Sequence, residues 1–285
     1  MRISVCTLLF ADKTFEEAVK EASEIGFDGV EIYGRTPHLP PGTSDFRARE
    51  MRSVLEYYGM QASGIDTYLG EFSTDGDDAF FNVQEELKIF LQLCDFLNCN
   101  MLRIWSGGPN AFLAEKEQYQ KAAERIHACA VLAAQADKKL ALEIHNGSLV
   151  ETAEAASRLL DAVNMVNVGV VHDAANMYIT DTNYGEESVE ILGKRIFDVH
   201  VKDLISGKGE NGKDVFRDFT GNGEKTFCHR LLGKGSVNHI PMMRALKKMN
   251  YQGWFSAESH VFMPGKEKAA HEFGVLRQQL SQAGF

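Results

Sequence analysis

The sequence predicts an α/β protein of the (β/α)8 barrel class, a single domain over residues 1–285. Three observations predict it. Short apolar β-type runs alternate with longer segments of helical periodicity along the whole chain, and eight such runs can be counted. The first run is not followed by the GxGxxG turn of an open dinucleotide-binding sheet, so closure of the eight strands is the better reading. The phrases EIGFDGVEIY and KMNYQGWFSAE repeat one unit, a helix end, a glycine turn and a strand, which hints at internal repetition.

The expected strands cover 3–6, 29–32, 61–65, 101–105, 140–144, 168–171, 196–201 and 253–257. The first lies in MRISVCTLLF. Its apolar run is too short for a signal-peptide core, and the charges of ADKTFEEAVKEA follow at once. Helical spacing marks 14–25, 45–58, 78–97, 115–136, 148–163 and 239–249, several of them opened by a Ser, Thr or Asp able to cap free amides. Helices between successive strands imply a parallel sheet. The segment 203–237, rich in Gly, Lys and Asn, is the longest without clear periodicity and is expected to be a functional loop or lid.

Composition narrows the partners. A chain of 285 residues, 44% hydrophobic and 25% charged, can bury a large core. A formal charge of -10 and the lack of any Lys/Arg-rich arm speak against nucleic acid, and no stretch reaches the length of a membrane span. Five cysteines without a CxxC pair give neither a disulfide framework nor a zinc ribbon, which fits a reducing, cytoplasmic setting. A small-molecule substrate is expected.

Acids and histidines at strand ends carry the chemistry, because barrels of this class place catalytic groups at the carboxyl ends of their strands. LALEIH puts Glu143 and His145 on one face, with Leu142 and Ile144 on the other. VGVVHDAAN ends its strand at Asp173, FDVHVKD brings Asp198, His200 and Lys202 to one face, and WFSAESH does so for Ser256, Glu258 and His260. Glu143, Asp173 and His200 are each separated by close to one strand-helix repeat of about 30 residues. His200 and Glu258 are nearly two repeats apart, the excess being assigned to the 203–237 loop. Three carboxylates and an imidazole form a hard oxygen-nitrogen site suited to one divalent ion, Mn, Co, Zn or Mg. Burying three acids together without a cation would raise their pKa values and cost stability. A lone strand-end acid is ordinarily a salt bridge or a solvated group, but four on neighbouring strands outweigh that reading. His172 alternates away from Asp173 and is read as packed or hydrogen-bonded. Lys202 could instead pair with Asp173 or Asp203, and Trp105 could simply fill the barrel.

The phrases LALEIHNGSLVETAEAA, VGVVHDAANM, DVHVKDL, LLGKGSVN and YQGWFSAESH, in that order, resemble the xylose isomerase-like TIM barrel superfamily of sugar isomerases, epimerases, inosose dehydratases and AP endonuclease relatives. The resemblance implies one metal on Glu143, Asp173, His200 and Glu258, with Glu143 and Glu258 as the catalytic pair flanking the substrate. It implies a sugar or sugar-phosphate isomerase or epimerase, moving a proton beside a carbonyl through a metal-stabilised enediolate. An inosose dehydratase-like lyase acting on a cyclitol is the alternative, because the same enediolate loses water when a hydroxyl sits on the next carbon. An endonuclease-like hydrolase and a non-catalytic sugar-binding barrel rank lower. His145, Lys202, Arg103, Trp105, Asn176 and His260 are the expected substrate-binding residues.

Departures from the superfamily pattern refine this. Asn176 stands where many epimerases carry a histidine, and Trp105 stands near another metal histidine of the endonucleases. His229 matches an endonuclease ligand, but Phe227 replaces its acid partner, so a trinuclear site is not expected. Gly233–Gly235 is a weak phosphate-nest candidate. Relatives often form dimers or tetramers, for which Phe10, Phe80 and Phe81 could supply an interface.

Overall fold

The computed structural model describes residues 1–209 and 214–285. In chain order the elements are β1 (Arg2–Cys6), α1 (Phe15–Ile25), β2 (Gly29–Tyr33), α2 (Asp45–Tyr57), β3 (Gln61–Asp66), α3 (Asp77–Leu97), β4 (Met101–Ile104) and α4 (Lys116–Gln135). They continue with β5 (Lys139–Glu143), α5 (Ala153–Val163), β6 (Val168–Asp173), α6 (Ala174–Ile179), α7 (Glu186–Leu192), β7 (Ile196–Val201), β8 (Asp203–Ser206), β9 (Val215–Thr220) and β10 (Gly223–Arg230). The last are α8 (Ile240–Lys248), β11 (Trp254–Ala257) and α9 (Gly265–Ala283). Eight parallel strands close in the order β1-β11-β7-β6-β5-β4-β3-β2, so the structure is the (β/α)8 barrel that the alternation predicts.

Local chemistry sets the helix ends. Thr14 accepts from the Glu17 amide while the Glu17 side chain accepts from the Thr14 amide, and Gly26 ends α1 at φ 111°, a conformation that a side chain would strain. Ser44 and Thr152 cap α2 and α5 by accepting from the Arg47 and Ala155 amides, without the reciprocal bond. The strands, covered by helices outside and filled inside, are almost wholly buried, which accounts for their continuous apolar runs.

Two bulges re-aim side chains inside the barrel. Val30 pairs with Ala62 and Glu31 with Gly64, so Ser63 is the extra residue of β3. Val170 pairs with Ile196 and Val171 with Asp198, which makes Phe197 the extra residue of β7. Met101, Ala141 and Val171, with Phe197 against them, form a small apolar plug.

Three expectations need correction. The 203–237 segment is not an irregular loop: outside residues 210–213, which lie beyond the described residues, it carries the antiparallel sheet β8-β10-β9. VFRDFT and GEKTFCHR do alternate, but with polar and aromatic residues on half-exposed faces, and Gly221 and Asn222 form the two-residue hairpin turn. The fourth strand ends at Ile104, before Trp105, whose amide bonds to the Leu69 carbonyl. Phe10 is fully buried in the core and cannot serve an interface, whereas Phe81 is exposed. All five cysteines are buried. Among the described residues no helix is long and apolar enough to cross a membrane.

Candidate active site

Glu143 and Asp173 end β5 and β6, His200 lies next to Asp173 in the β6–β7 register, and Glu258 follows β11 with its amide bonded to the Val201 carbonyl. The structure brings these four together: all are buried, and one donor atom from each lies within 4.8 Å of the others. Asp173 has two tasks. Its Oδ1 caps α6 by accepting from the Ala175 and Asn176 amides, each at 2.9 Å, while Oδ2 is buried and turned into the cluster, 2.8 Å from Lys202 Nζ.

His200 is oriented from below. Its Nε2 lies 2.9 Å from Oε2 of Glu31, and a carboxylate can only accept, so Nε2 carries the proton. Nδ1 has no hydrogen-bond partner and lies 3.6 Å from both Glu143 Oε1 and Glu258 Oε2. Burial works against a charged ring, but Glu31 and Glu258 outweigh it and hold the imidazole well above its usual range. Without a metal, the neighbouring carboxylates favour the charged ring.

Two further cations are buried among the acids. Lys202 Nζ lies 2.6 Å from Glu258 Oε2, 2.8 Å from Asp173 Oδ2 and 4.0 Å from Glu143 Oε1. Burial opposes its charge, and Asp173 and Glu258 more than restore it. Arg103 Nε bonds to Asp66, and its Nη1 lies 3.2 Å from Glu143 Oε2. Burial alone would raise the pKa of Glu143 and Glu258, but Arg103 lowers the first and Lys202 with His200 lowers the second, so both are ionised. Asp173 and Asp198 are raised by burial, Asp198 strongly, and Asp198 sits against the Ser256 hydroxyl.

These contacts show that the residues fit a divalent cation. Five buried acids, Glu31, Asp66, Glu143, Asp173 and Glu258, gather around three buried basic groups, Arg103, Lys202 and His200, so the acids outnumber the bases in this space. Nδ1 of His200, which has no hydrogen-bond partner, and Oδ2 of Asp173, which faces only the Lys202 ammonium, are the atoms a metal would take.

The other expected residues are distributed as follows. Asn176 is buried and donates to Glu143 Oε1 at 3.2 Å and to the Ile144 carbonyl at 3.1 Å, so its amide fixes the glutamate. His145 Nδ1 donates to the Asn146 carbonyl at 2.7 Å, burial lowers its pKa, and the neutral ring lies 4.2 Å from that of Trp105. His260 Nε2 is 3.6 Å from Glu258 Oε2. The flap formed by β8, β9 and β10 adds His229, 5.0 Å from His260 and stacked on Phe216, with its pKa pushed to about 3 by burial and by His260. It docks through Asp218 on Asn146 and through the Phe219 carbonyl, which accepts from Asn110 at 3.1 Å. His172 bonds Ser188 at 2.9 Å, as its alternation implies.

The glycine-rich phosphate candidate fails. Asp203 already accepts from the amides of Gly233, Gly235 and Val237 at 2.9–3.0 Å, so the nest is filled by the chain's own carboxylate.

Glu31, Asp66 and Tyr68 were not singled out from the sequence. Their signal is an acid inside or at the end of an apolar strand, in GVEIY and ASGID. Tyr68 follows two residues later, with Arg35 and Arg103 at 4.5 and 4.6 Å from its ring.

The chain is a parallel barrel with a buried carboxylate-histidine cluster, able to hold a divalent ion, at the carboxyl ends of its strands. Residues 19–279 match the family described as xylose isomerase-like TIM barrel, and the chain belongs to it. It is 23% identical over 266 residues to an inosose dehydratase of Clostridium perfringens, covering 87% of this chain and 83% of that one. Among solved structures, an IOLI protein with a bound zinc atom superposes with a TM-score of 0.82 at 18% identity, covering 99% of both chains. A D-allulose 3-epimerase from Methylomonas sp. gives 0.76 at 20% identity, covering 98% of both.

Proposed function

We infer that the chain is a divalent-metal-dependent enzyme that removes a proton from the carbon beside a carbonyl of a sugar-like or cyclitol substrate, and that water is then lost from the neighbouring carbon. The observation that carries this is Lys202, a buried ammonium at 2.6 and 2.8 Å from Glu258 and Asp173 inside the carboxylate cluster. Glu143, Asp173, His200 and Glu258 would hold the metal, which when bound polarises the substrate carbonyl and stabilises the enediolate.

The chain's own residues supply the rest. Glu258, kept ionised by Lys202 and His200, accepts the proton. Lys202 keeps its charge and donates a hydrogen bond to the departing hydroxyl. Glu258 then returns its proton to that oxygen, so the C–H and C–O bonds break, a C=C bond forms and one water leaves. Arg103 and Asn176 hold Glu143 still, and His145, with its Nε2 free of a proton, and Trp105 line the path of a polar ring or chain. The similarity to an inosose dehydratase supports elimination.

Isomerisation or epimerisation is the second reading, favoured by the second glutamate. Glu143 is also ionised and shares the cluster with Glu258, so it could deliver or take a proton from another side. Incubation with Mn or Co in D2O and a panel of inososes, ketoses and aldoses separates the readings by product mass. Loss of one water marks elimination, and deuterium beside the carbonyl without loss of water marks isomerisation. No exchange and no product on any of them would overturn both.

A further inference from the structure

The apolar plug of Met101, Ala141, Val171 and Phe197 separates the carboxylate cluster from the opposite, amino-terminal end of the barrel. An open cavity of about 800 Å³ lies at that end, within the range of small-ligand sites. Arg2, Lys138, Lys139 and Lys194 line it, against Asp137 as its one acid, in a chain whose overall charge is -10. Lys138 is paired with Asp95 at 2.7 Å, but neither Lys139 nor Lys194 has an ion pair among the described residues. Lys139 lies over the Phe197 ring at 4.9 Å, and Arg2 lies over Trp254 at 4.4 Å.

A second observation points to a ligand. Ser63, the bulged residue of β3, lines the same cavity; it is 3% exposed and its hydroxyl has no hydrogen-bond partner. Both bulged residues, Ser63 and Phe197, thus lie in the wall of this cavity. Like charges gathered in a concave wall repel one another and focus a positive potential, which an anion relieves. Arg and Lys side chains with a hydroxyl are the donor set that phosphate oxygens take.

We propose that this cavity binds the phosphate group of a small molecule, either inorganic phosphate or a phosphate ester. The site is independent of the chemistry at the mouth. Its test is calorimetric titration of the intact protein with inorganic phosphate, glycerol phosphate and adenosine monophosphate, at constant ionic strength set with chloride. Three variants are compared: Lys139→Met combined with Lys194→Met, Ser63→Ala, and Glu143→Gln. The two lysines are exposed, so their replacement leaves the fold intact.

One saturable site is expected, weakened about tenfold or more in the double variant and less in Ser63→Ala, and unchanged in Glu143→Gln. Equal affinity for phosphate and its esters makes the free ion the ligand; tighter ester binding makes the organic part a contributor. Absence of saturable binding with all three probes, equal affinity in the double variant, or loss of binding in Glu143→Gln would overturn the proposal.

Discussion

At the carboxyl end of the barrel Arg103, Lys202 and His200 are buried with Glu31, Asp66, Glu143, Asp173 and Glu258, every one at most 4% exposed, whereas at the amino end Arg2, Lys139 and Lys194 stand in solvent around an open cavity. The first arrangement is costly. Taking charges from water is repaid only where partners are close, and a well-packed apolar layer is often as stable. The amino end shows that the barrel can be closed that way, with Met101, Ala141, Val171 and Phe197. The polar end is therefore not explained by folding alone, which is in keeping with the proposed chemistry.

The largest effect that would break this contrast is on turnover. Glu258→Gln is expected to lower the rate by about 10²–10⁴-fold while the protein stays folded, as read from product formation and thermal unfolding. A variant within tenfold of the parent would remove Glu258 from the proton transfer.

Lys202→Met tests whether cations at this end neutralise the acids. Without metal, Asp173 and Glu258 lose their closest cation, and stability is expected to fall by about 3–5 kcal/mol. Added Mn should restore most of the loss in a denaturant titration. The same loss with and without Mn would show that the lysine acts through packing.

Glu272 sharpens the comparison because it is a buried acid with no ion pair among the described residues. It accepts from the Leu232 amide at 3.1 Å, and burial pushes its pKa up to about 7. A raised carboxyl stabilises the fold most below its unfolded pKa, and that contribution is lost as pH rises through the folded value. Stability should thus decline between about pH 4.5 and 7 by up to about 3 kcal/mol, and Glu272→Gln should flatten that window. An unchanged slope in the variant would assign it to other groups.

The smallest effect concerns Glu31. Glu31→Gln keeps an acceptor for His200 Nε2 but removes the charge, and metal affinity is expected to fall about 10–100-fold in a competition titration with a chelating dye. Unaltered affinity would make Glu31 a filler of the barrel.

Much of this was legible in the sequence. The eight barrel strands were placed to within a residue or two, because residues two apart share a face and residues on successive strands repeat at a nearly constant interval. The same regularities picked out Glu143, Asp173, His200 and Glu258, which the fold then gathers into one cluster. His172 was assigned by alternation alone. The flap was less legible, since its alternation is weak where both faces are half-exposed, and Glu31 and Asp66 were passed over because a single acid in an apolar strand has no local partner to explain it.

The sequence by itself determined the order of strands and helices, the closure into eight, and the faces on which the strand-end acids lie, because these follow from periodicity within a few residues. Only the tertiary structure decided that Lys202 enters the carboxylate cluster, that Glu31 orients His200 from 169 residues away, and that Asp203 fills the Gly233–Gly235 nest. Those contacts depend on how neighbouring strands are registered and on the two bulges, and a shift of one residue would turn each side chain to the other face.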